Sequence, residues 1–452
     1  MGKEKQLAHV FDLSVEGEGI ARTKEGAVFF VPEALPGDIL EISAEGHEKH
    51  PDPRAVRWIQ KREREPSFCP CFSSGCGGCA VQELPYETLL SIKERRARDC
   101  IQRIAGIDPE IIAWEKAIPS PEVKNYRNHV QLKLEAHGNS FDFGFYSRKA
   151  HQLVPHQSCP ISATGDPFVR SGLLRSVDSL SETGRQSLRE GWQELIIRSS
   201  ERTGEILAAL RLAPAAAAAL RTERHFAERA ADEIQKALPA PYIFSSLWIL
   251  DSKSPEGDQL LWGKAFITEI LCEKTYRIGP RAFFQVNTEA AERLLNTARH
   301  FLEESAAPAR QIMDLYCGMG SVGLSLADES ASIYGIDISE EAIQSARYNA
   351  RANGIRHARY QKGKAEDGFP SLHIEKDSLL VVDPPRRGLA PSLVTALCQS
   401  PSQYLMYISC HPGTLARDLE RLKSRWRPLR IAVVDLFPWT MHVETIALIQ
   451  KM

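Results

Sequence analysis

Short runs of alternating apolar and polar residues, each closed by a turn residue, occupy positions 8–60. Ala27-Val28-Phe29-Phe30-Val31 and Asp38-Ile39-Leu40-Glu41-Ile42 read as strands, punctuated by Gly17, Gly19, Gly26 and Pro36-Gly37-Asp38. The spacing predicts a small five-stranded barrel, of the OB type or another small-barrel kind. The pattern then changes period. Leu89, Leu90, Ile92, Ala97, Ile101 and Ile104 recur at helical spacing and predict a helix over 87–105. Between 110 and 270 strand-like runs such as His129-Val130-Gln131-Leu132-Lys133-Leu134 alternate with helical ones, including an alanine-rich helix through 215–219 leading toward Leu238. From 275 onward the alternation becomes regular. Strands are predicted at 312–316, 332–336, 359–361, 378–382, 404–409, 429–435 and 443–449, with a helix over 340–353. Seven strands with helices between them fit a doubly wound α/β sheet.

A chain of 452 residues is too long for one core and argues for two or three domains. No run of about 18 apolar residues is present, so no membrane helix is expected. The start, Met1-Gly2-Lys3-Glu4-Lys5-Gln6, lacks the apolar stretch of a signal peptide, and a cytoplasmic location is expected. A formal charge of −2 excludes a globally basic nucleic-acid binder but not a local basic patch. The runs Lys61-Arg62-Glu63-Arg64 and Lys93-Glu94-Arg95-Arg96-Ala97-Arg98 are expected to be solvated helix faces. Of the ten cysteines, Cys69, Cys71, Cys76 and Cys79 crowd together, a density that asks for a metal or a cluster rather than disulfides.

Two turns follow predicted strands. Asp314-Leu315-Tyr316-Cys317-Gly318-Met319-Gly320 is a glycine turn that lets backbone amides approach a nucleotide closely. It is not the full dinucleotide fingerprint and alone names no cofactor. Asp337 closes the next strand, where a carboxylate can accept both ribose hydroxyls or cap the following helix. Asp383-Pro384-Pro385 stiffens the turn after 378–382, and the following Arg386 argues against amine methylation. Cys410 ends one predicted strand and Glu444 begins the last. Singly they read equally well as a small core residue and a surface carboxylate. Together they match a specific need. Carbon 5 of uracil becomes nucleophilic only after a thiolate adds to carbon 6, and the carbon 5 proton must later be removed. If the last strand runs antiparallel, the two groups meet at one edge of the sheet.

At these blocks, and at Phe284-Gln285-Val286-Asn287, Ser409-Cys410-His411-Pro412-Gly413 and Phe437-Pro438-Trp439-Thr440-Met441-His442-Val443-Glu444, the chain resembles the RNA (uracil-5-)-methyltransferase family, the RumA/TrmA group. The resemblance implies an N-terminal TRAM-type OB barrel over 1–61 that binds RNA. It implies a central α+β RNA-binding domain with an iron–sulfur cluster over 62–274, its helix 86–105 packing on the catalytic domain. A Rossmann-like class I methyltransferase domain would follow over 275–452. By resemblance Gln285, Tyr316, Ser321, Asp337, Glu366 and Asp383 contact S-adenosyl-L-methionine, Cys410 is the nucleophile and Glu444 the base. Phe283 or Phe284 sits near the target base. Cys69, Cys76, Cys79 and Cys159 would hold a [4Fe–4S] cluster, with zinc the physical alternative. Neither Cys69 nor Cys71 keeps the family's usual spacing to Cys76; Cys69, which precedes a proline, is preferred. Possession of both the barrel and the cysteine set implies 23S rRNA as partner, with tRNA the neighbouring substrate and a non-catalytic RNA-binding protein the reading from another class. The uridine must leave its stack to react, and a monomer is expected.

Overall fold

The computed structural model describes residues 5–44, 53–138, 140–148, 150–163, 165–328 and 330–452. The expectation for residues 1–4, and the part of the expected barrel at 45–52, lie outside the described residues. Strands Lys5–Leu13, Gly19–Thr23, Val28–Val31, Ile39–Ala44 and Pro53–Gln60 form one antiparallel sheet in the order third, second, first, fourth, fifth. The outermost two strands approach each other, curling the sheet into a barrel. Alternate residues Ala8, Val10, Ala21, Phe29, Val31, Leu40 and Ile42 fill it. Gly37, at φ +102°, allows the tight turn that delivers Asp38 to the barrel's end. Asp38 is buried and accepts from Leu35 N (2.9 Å), Arg62 N (2.9 Å) and Arg64 Nη2 (2.8 Å). The first basic run is therefore not a solvated helix face. It is extended chain, and its Arg64 neutralises a buried carboxylate.

The expected helix runs Tyr86–Cys100 and continues through a wider turn, Ile101–Ala105, to Gly106 at φ +65°. It joins three cores. Leu89 and Ile92 pack with barrel residues Leu13 and Leu35, Leu90 and Ala97 with Val433 and Val443, and Ile101 and Ala105 beneath the C-terminal sheet. Ile104, read as part of the apolar face, is exposed instead. The second basic run is also corrected, because Lys93 is completely buried and pairs with Asp435 Oδ1 at 2.7 Å.

A seven-stranded sheet spans His129 to Gly263, covered by helices Asp166–Val177, Glu182–Gly191, Pro214–Arg221 and Phe226–Ala237. The alanine-rich segment is thus two helices, with Ala216, Ala217, Ala230 and Ala231 packed inward. The hairpin Ile267–Leu271/Lys274–Ile278 bridges the expected boundary at 274/275.

The C-terminal sheet has eight strands, not seven. Ala358–Lys362, Ser332–Asp337, Gln311–Asp314, Ser378–Val382 and Tyr404–Ser409 run parallel in that order. Glu444–Lys451 then pairs antiparallel with both Tyr404–Ser409 and Trp426–Val434. The eighth strand, Ala113–Trp114, pairs with Arg430 and Ile431. Two residues carry no readable period, so the pattern alone hides it. Among the described residues no helix is long and apolar enough to cross a membrane.

Candidate active site

The buried strand Gln311–Asp314 ends in the glycine turn. Gly318 (φ +52°) and Gly320 (φ +86°) take left-handed backbone conformations, and the short helix Ser321–Leu326 follows directly. Asp314 is fully buried below the turn, its Oδ2 accepting from Gly323 N at 3.0 Å. Burial first, then the charges of Asp383 and Asp337, push its carboxyl up to about 7. At the end of Ser332–Asp337, Asp337 accepts from Gly318 N (2.9 Å) and Ser339 N (2.8 Å). Ser339, not Asp337, caps the helix Glu340–Ala352. Asp337 therefore braces the glycine turn and faces the space above it. Asp383, after Ser378–Val382, is raised to about 7 by burial.

A cavity of about 570 Å³ lies over these turns, and Gln285, Tyr316, Ser321, Asp337, Glu366, Asp383, Cys410 and Glu444 all line it. Every residue expected to contact the cofactor or to react is thus brought to one space. Phe283 and Phe284 also line it; Phe283 is 74% exposed at the rim while Phe284 is buried against the core. Gln285 is held by its carbonyl, which accepts from Asn128 Nδ2 at 3.0 Å, and Asn287 caps the helix Thr288–Glu304.

Cys410 sits between the Tyr404–Ser409 strand and the helix Pro412–Leu422. His411 Nδ1 caps that helix by accepting from Thr414 N at 3.2 Å. The last strand is antiparallel, with Ser409 opposite Thr445, so Cys410 and Glu444 lie side by side at the same edge. Burial, then the charges of Glu444 and Asp383, push the Cys410 thiol up to about 11, while Arg386 opposes them. Burial and Asp383 likewise hold the Glu444 carboxyl well above the usual carboxylate range. A carboxylate so raised is a strong base once ionised, suited to removing a proton from carbon.

A second cavity, of about 880 Å³, is lined by Cys69, Cys76, Cys79 and Cys159, with Arg127 and Arg148 beside them. Cys71 is not among its walls; its Sγ lies 3.8 Å from the Pro155 carbonyl oxygen. Burial raises Cys79 to about 11 and Cys159 to about 12, and neighbouring cysteines push Cys79 further. Among the described residues, no three His, Cys, Asp or Glu side chains are gathered closely enough to hold a single metal ion. Four thiols lining one cavity are a soft donor set of the kind that takes a thiolate-held metal or cluster.

Sequence reasoning missed two features. Arg386 lines both cavities, its Nη2 3.4 Å from His442 Nε2. The buried Lys93–Asp435 pair went unread, although Lys93 lies four residues from both Leu89 and Ala97 and so shares their buried face.

The sequence profile described as tRNA (Uracil-5-)-methyltransferase matches residues 254–452, and that of the TRAM domain matches residues 3–46. An uncharacterized RNA methyltransferase of Thermosynechococcus vestitus is 32% identical over 442 residues, covering 97% of this chain and 96% of the relative. One from Listeria innocua is 31% identical over 452 residues, covering 97% and 96%. Among solved structures, the Pyrococcus abyssi tRNA (uracil-54, C5)-methyltransferase in complex with S-adenosyl-L-homocysteine superposes with a TM-score of 0.71. It shares 24% identity over 98% of this chain and 99% of that one, a likeness of fold.

Proposed function

The chain belongs to the RNA (uracil-5-)-methyltransferase family and is an S-adenosylmethionine-dependent RNA methyltransferase; from that premise we propose that it methylates carbon 5 of a uridine in 23S rRNA through a covalent Cys410 adduct. The observation that carries the mechanism is the convergence of Cys410 and Glu444 in the cavity that also holds Tyr316, Asp337 and Asp383.

S-adenosylmethionine supplies an electrophilic methyl group when bound over the glycine turn. Asp337 would accept from the ribose hydroxyls, and Gln285, Tyr316, Ser321, Glu366 and Asp383 would hold the rest. The Cys410 sulfur adds to carbon 6 of the uracil. Its thiolate is favoured by Arg386, whose charge opposes the burial that raises it. The electron pair of the carbon 5–carbon 6 double bond becomes an enolate; carbon 5 would take the methyl group as its bond to the sulfonium breaks, S-adenosylhomocysteine leaving with that electron pair. Glu444 then removes the carbon 5 proton, the double bond re-forms, and the sulfur leaves. Phe283, exposed at the rim, is placed to stack on a uridine turned out of its helix.

Cys69, Cys76, Cys79 and Cys159 would hold a [4Fe–4S] cluster, which orders the loops around it. Cys69 rather than Cys71 is the first ligand, supported by its place in the cavity wall. The division into 1–61, 62–274 and 275–452 is retained, with Ile101, Ala105 and Ile112 packing into the core of the C-terminal sheet and Ala113–Trp114 adding a strand to it.

Labelled S-adenosylmethionine offered with unmodified 23S rRNA and tRNA transcripts, followed by nucleoside analysis, tests the reading. Label in 5-methyluridine of rRNA alone is expected. Label in tRNA alone would keep the chemistry and overturn the substrate, and no label in either would overturn both.

A further inference from the structure

Glu444 Oε2 is buried without a hydrogen-bond partner among the described residues. The position of this carboxylate is therefore inherited from the backbone that delivers it, residues 435–443. That segment is tied down along its length. Asp435 Oδ1 accepts from Lys93 Nζ (2.7 Å) and Phe437 N (3.0 Å), and its Oδ2 accepts from Tyr86 Oη (3.0 Å). Lys93 Nζ also donates to the Phe437 carbonyl at 3.1 Å, and Tyr126 Oη to that of Pro438 at 3.1 Å.

Trp439 carries the fixings that lead elsewhere. Its φ of +66° is one that an L side chain rarely adopts, so surrounding contacts must impose it. Its carbonyl accepts two backbone hydrogen bonds, from Ala80 N (2.8 Å) and Val81 N (3.1 Å). Its Nε1 donates to the Val123 carbonyl at 2.7 Å. Its ring lies 5.1 Å from that of Phe68 and 5.7 Å from that of Tyr86. Ala80 directly follows Cys79, and Phe68 directly precedes Cys69. Cys79 and Cys159 border the same small core as Trp439 and Met441. The wall of the cysteine cavity and the loop that presents Glu444 are one packed unit.

We propose that Trp439 is a positioning residue, through which the order of the cysteine loops sets the placement of Glu444. This rests on the reading of Cys410 as nucleophile and Glu444 as base. Cys410 is fixed separately, by the strand Tyr404–Ser409 and the capped helix after it, with Ser409 Oγ accepting from His411 N at 3.2 Å. Loosening Trp439 therefore leaves sulfur addition and methyl transfer in place and slows one later step. In that step the carbon 5–hydrogen bond breaks and the proton passes to Glu444. The released pair forms the carbon 5–carbon 6 double bond, and the carbon 6–sulfur bond breaks with its pair returning to Cys410. A displaced base lets the methylated RNA remain attached to the protein.

The test compares the parent with Trp439→Phe, which keeps a ring but loses the Nε1 donor, with Trp439→Ala, and with Cys79→Ser. Each is given labelled S-adenosylmethionine and whichever transcript the assay above labels. kcat, KM for RNA and the label migrating with protein on a denaturing gel are read. A parallel arm uses the same RNA containing 5-fluorouridine, which has no carbon 5 proton and is trapped without help from the base. All variants are expected to lower kcat by roughly tenfold or more with KM for RNA unchanged, and to accumulate labelled protein–RNA adduct. They should still trap the fluorinated RNA at the parental rate. A parental kcat, or a raised KM for RNA with no accumulating adduct, overturns the proposal and leaves the cysteine loops a role in RNA binding alone. If Trp439→Ala fails to bind S-adenosylmethionine and so has lost its fold, Trp439→Phe and Cys79→Ser decide. A parent enzyme that does not trap fluorinated RNA would overturn the nucleophile reading itself, a separate failure.

Discussion

Two cavities meet at Arg386, and both are lined by cysteine. In the smaller the thiol of Cys410 stands among carboxylates, with Glu444 beside it and Asp383 nearby. In the larger, four thiols stand with arginines. One residue type thus stands in two settings that differ in their neighbours. A thiol beside a buried carboxylate can exchange protons with its surroundings and react reversibly with carbon. The comparison also separates chemistry from scaffolding. The smaller cavity should fail in its reaction when altered, and the larger in its order.

The sharpest break in this comparison is Cys410→Ala, expected to reduce methylation to background while binding of S-adenosylmethionine, followed calorimetrically, is unaffected. Glu444→Gln should follow, lowering turnover by about 100- to 10,000-fold and leaving a protein–RNA adduct visible on a denaturing gel. Normal turnover would exclude the base assignment. Lys93→Met leaves the Asp435 carboxylate buried without its partner, and should cost about 3–5 kcal/mol in chemical denaturation. Replacing Asp435 with Leu in the same chain should recover much of the loss.

The pH profile tests the smaller cavity more gently. Glu444 must be ionised to accept the carbon 5 proton, and its carboxyl is raised; Cys410, raised to about 11, must lose its proton to add. Both shifts have the same sign, so kcat/KM should rise with pH between about 6 and 9. A profile that falls over that range would contradict the pairing. The smallest effect is expected from Cys71→Ser, which should retain the iron and sulfide of the anaerobically reconstituted protein, whereas Cys69→Ser should lose them. Equal losses would place Cys71 among the ligands.

Much of the catalytic sheet was legible because its strands are fully buried apolar runs, such as 378–382, that end in glycine or Asp-Pro-Pro turns. Local chemistry sets such boundaries, and five parallel strands fall close to their expected places. The lysine in the run at 93–98 was misread because a charge run reports composition, whereas burial depends on the helix face. Lys93 falls on the face of Leu89 and Ala97, and only Asp435, far along the chain, makes that position tolerable. The strand Ala113–Trp114 escaped for a related reason: its reality lies wholly in its partner, Arg430–Ile431.

By itself the sequence determined the order of the reactive blocks, the barrel at one end and the methyltransferase sheet at the other, because turns, periods and residue types are local properties of the chain. Only the tertiary structure decided that Glu444 abuts Cys410, that Cys69 rather than Cys71 lines the cysteine cavity, and that Arg386 borders both cavities. Strand register, burial and the field at a buried group are set by residues distant in sequence, and no local pattern encodes them.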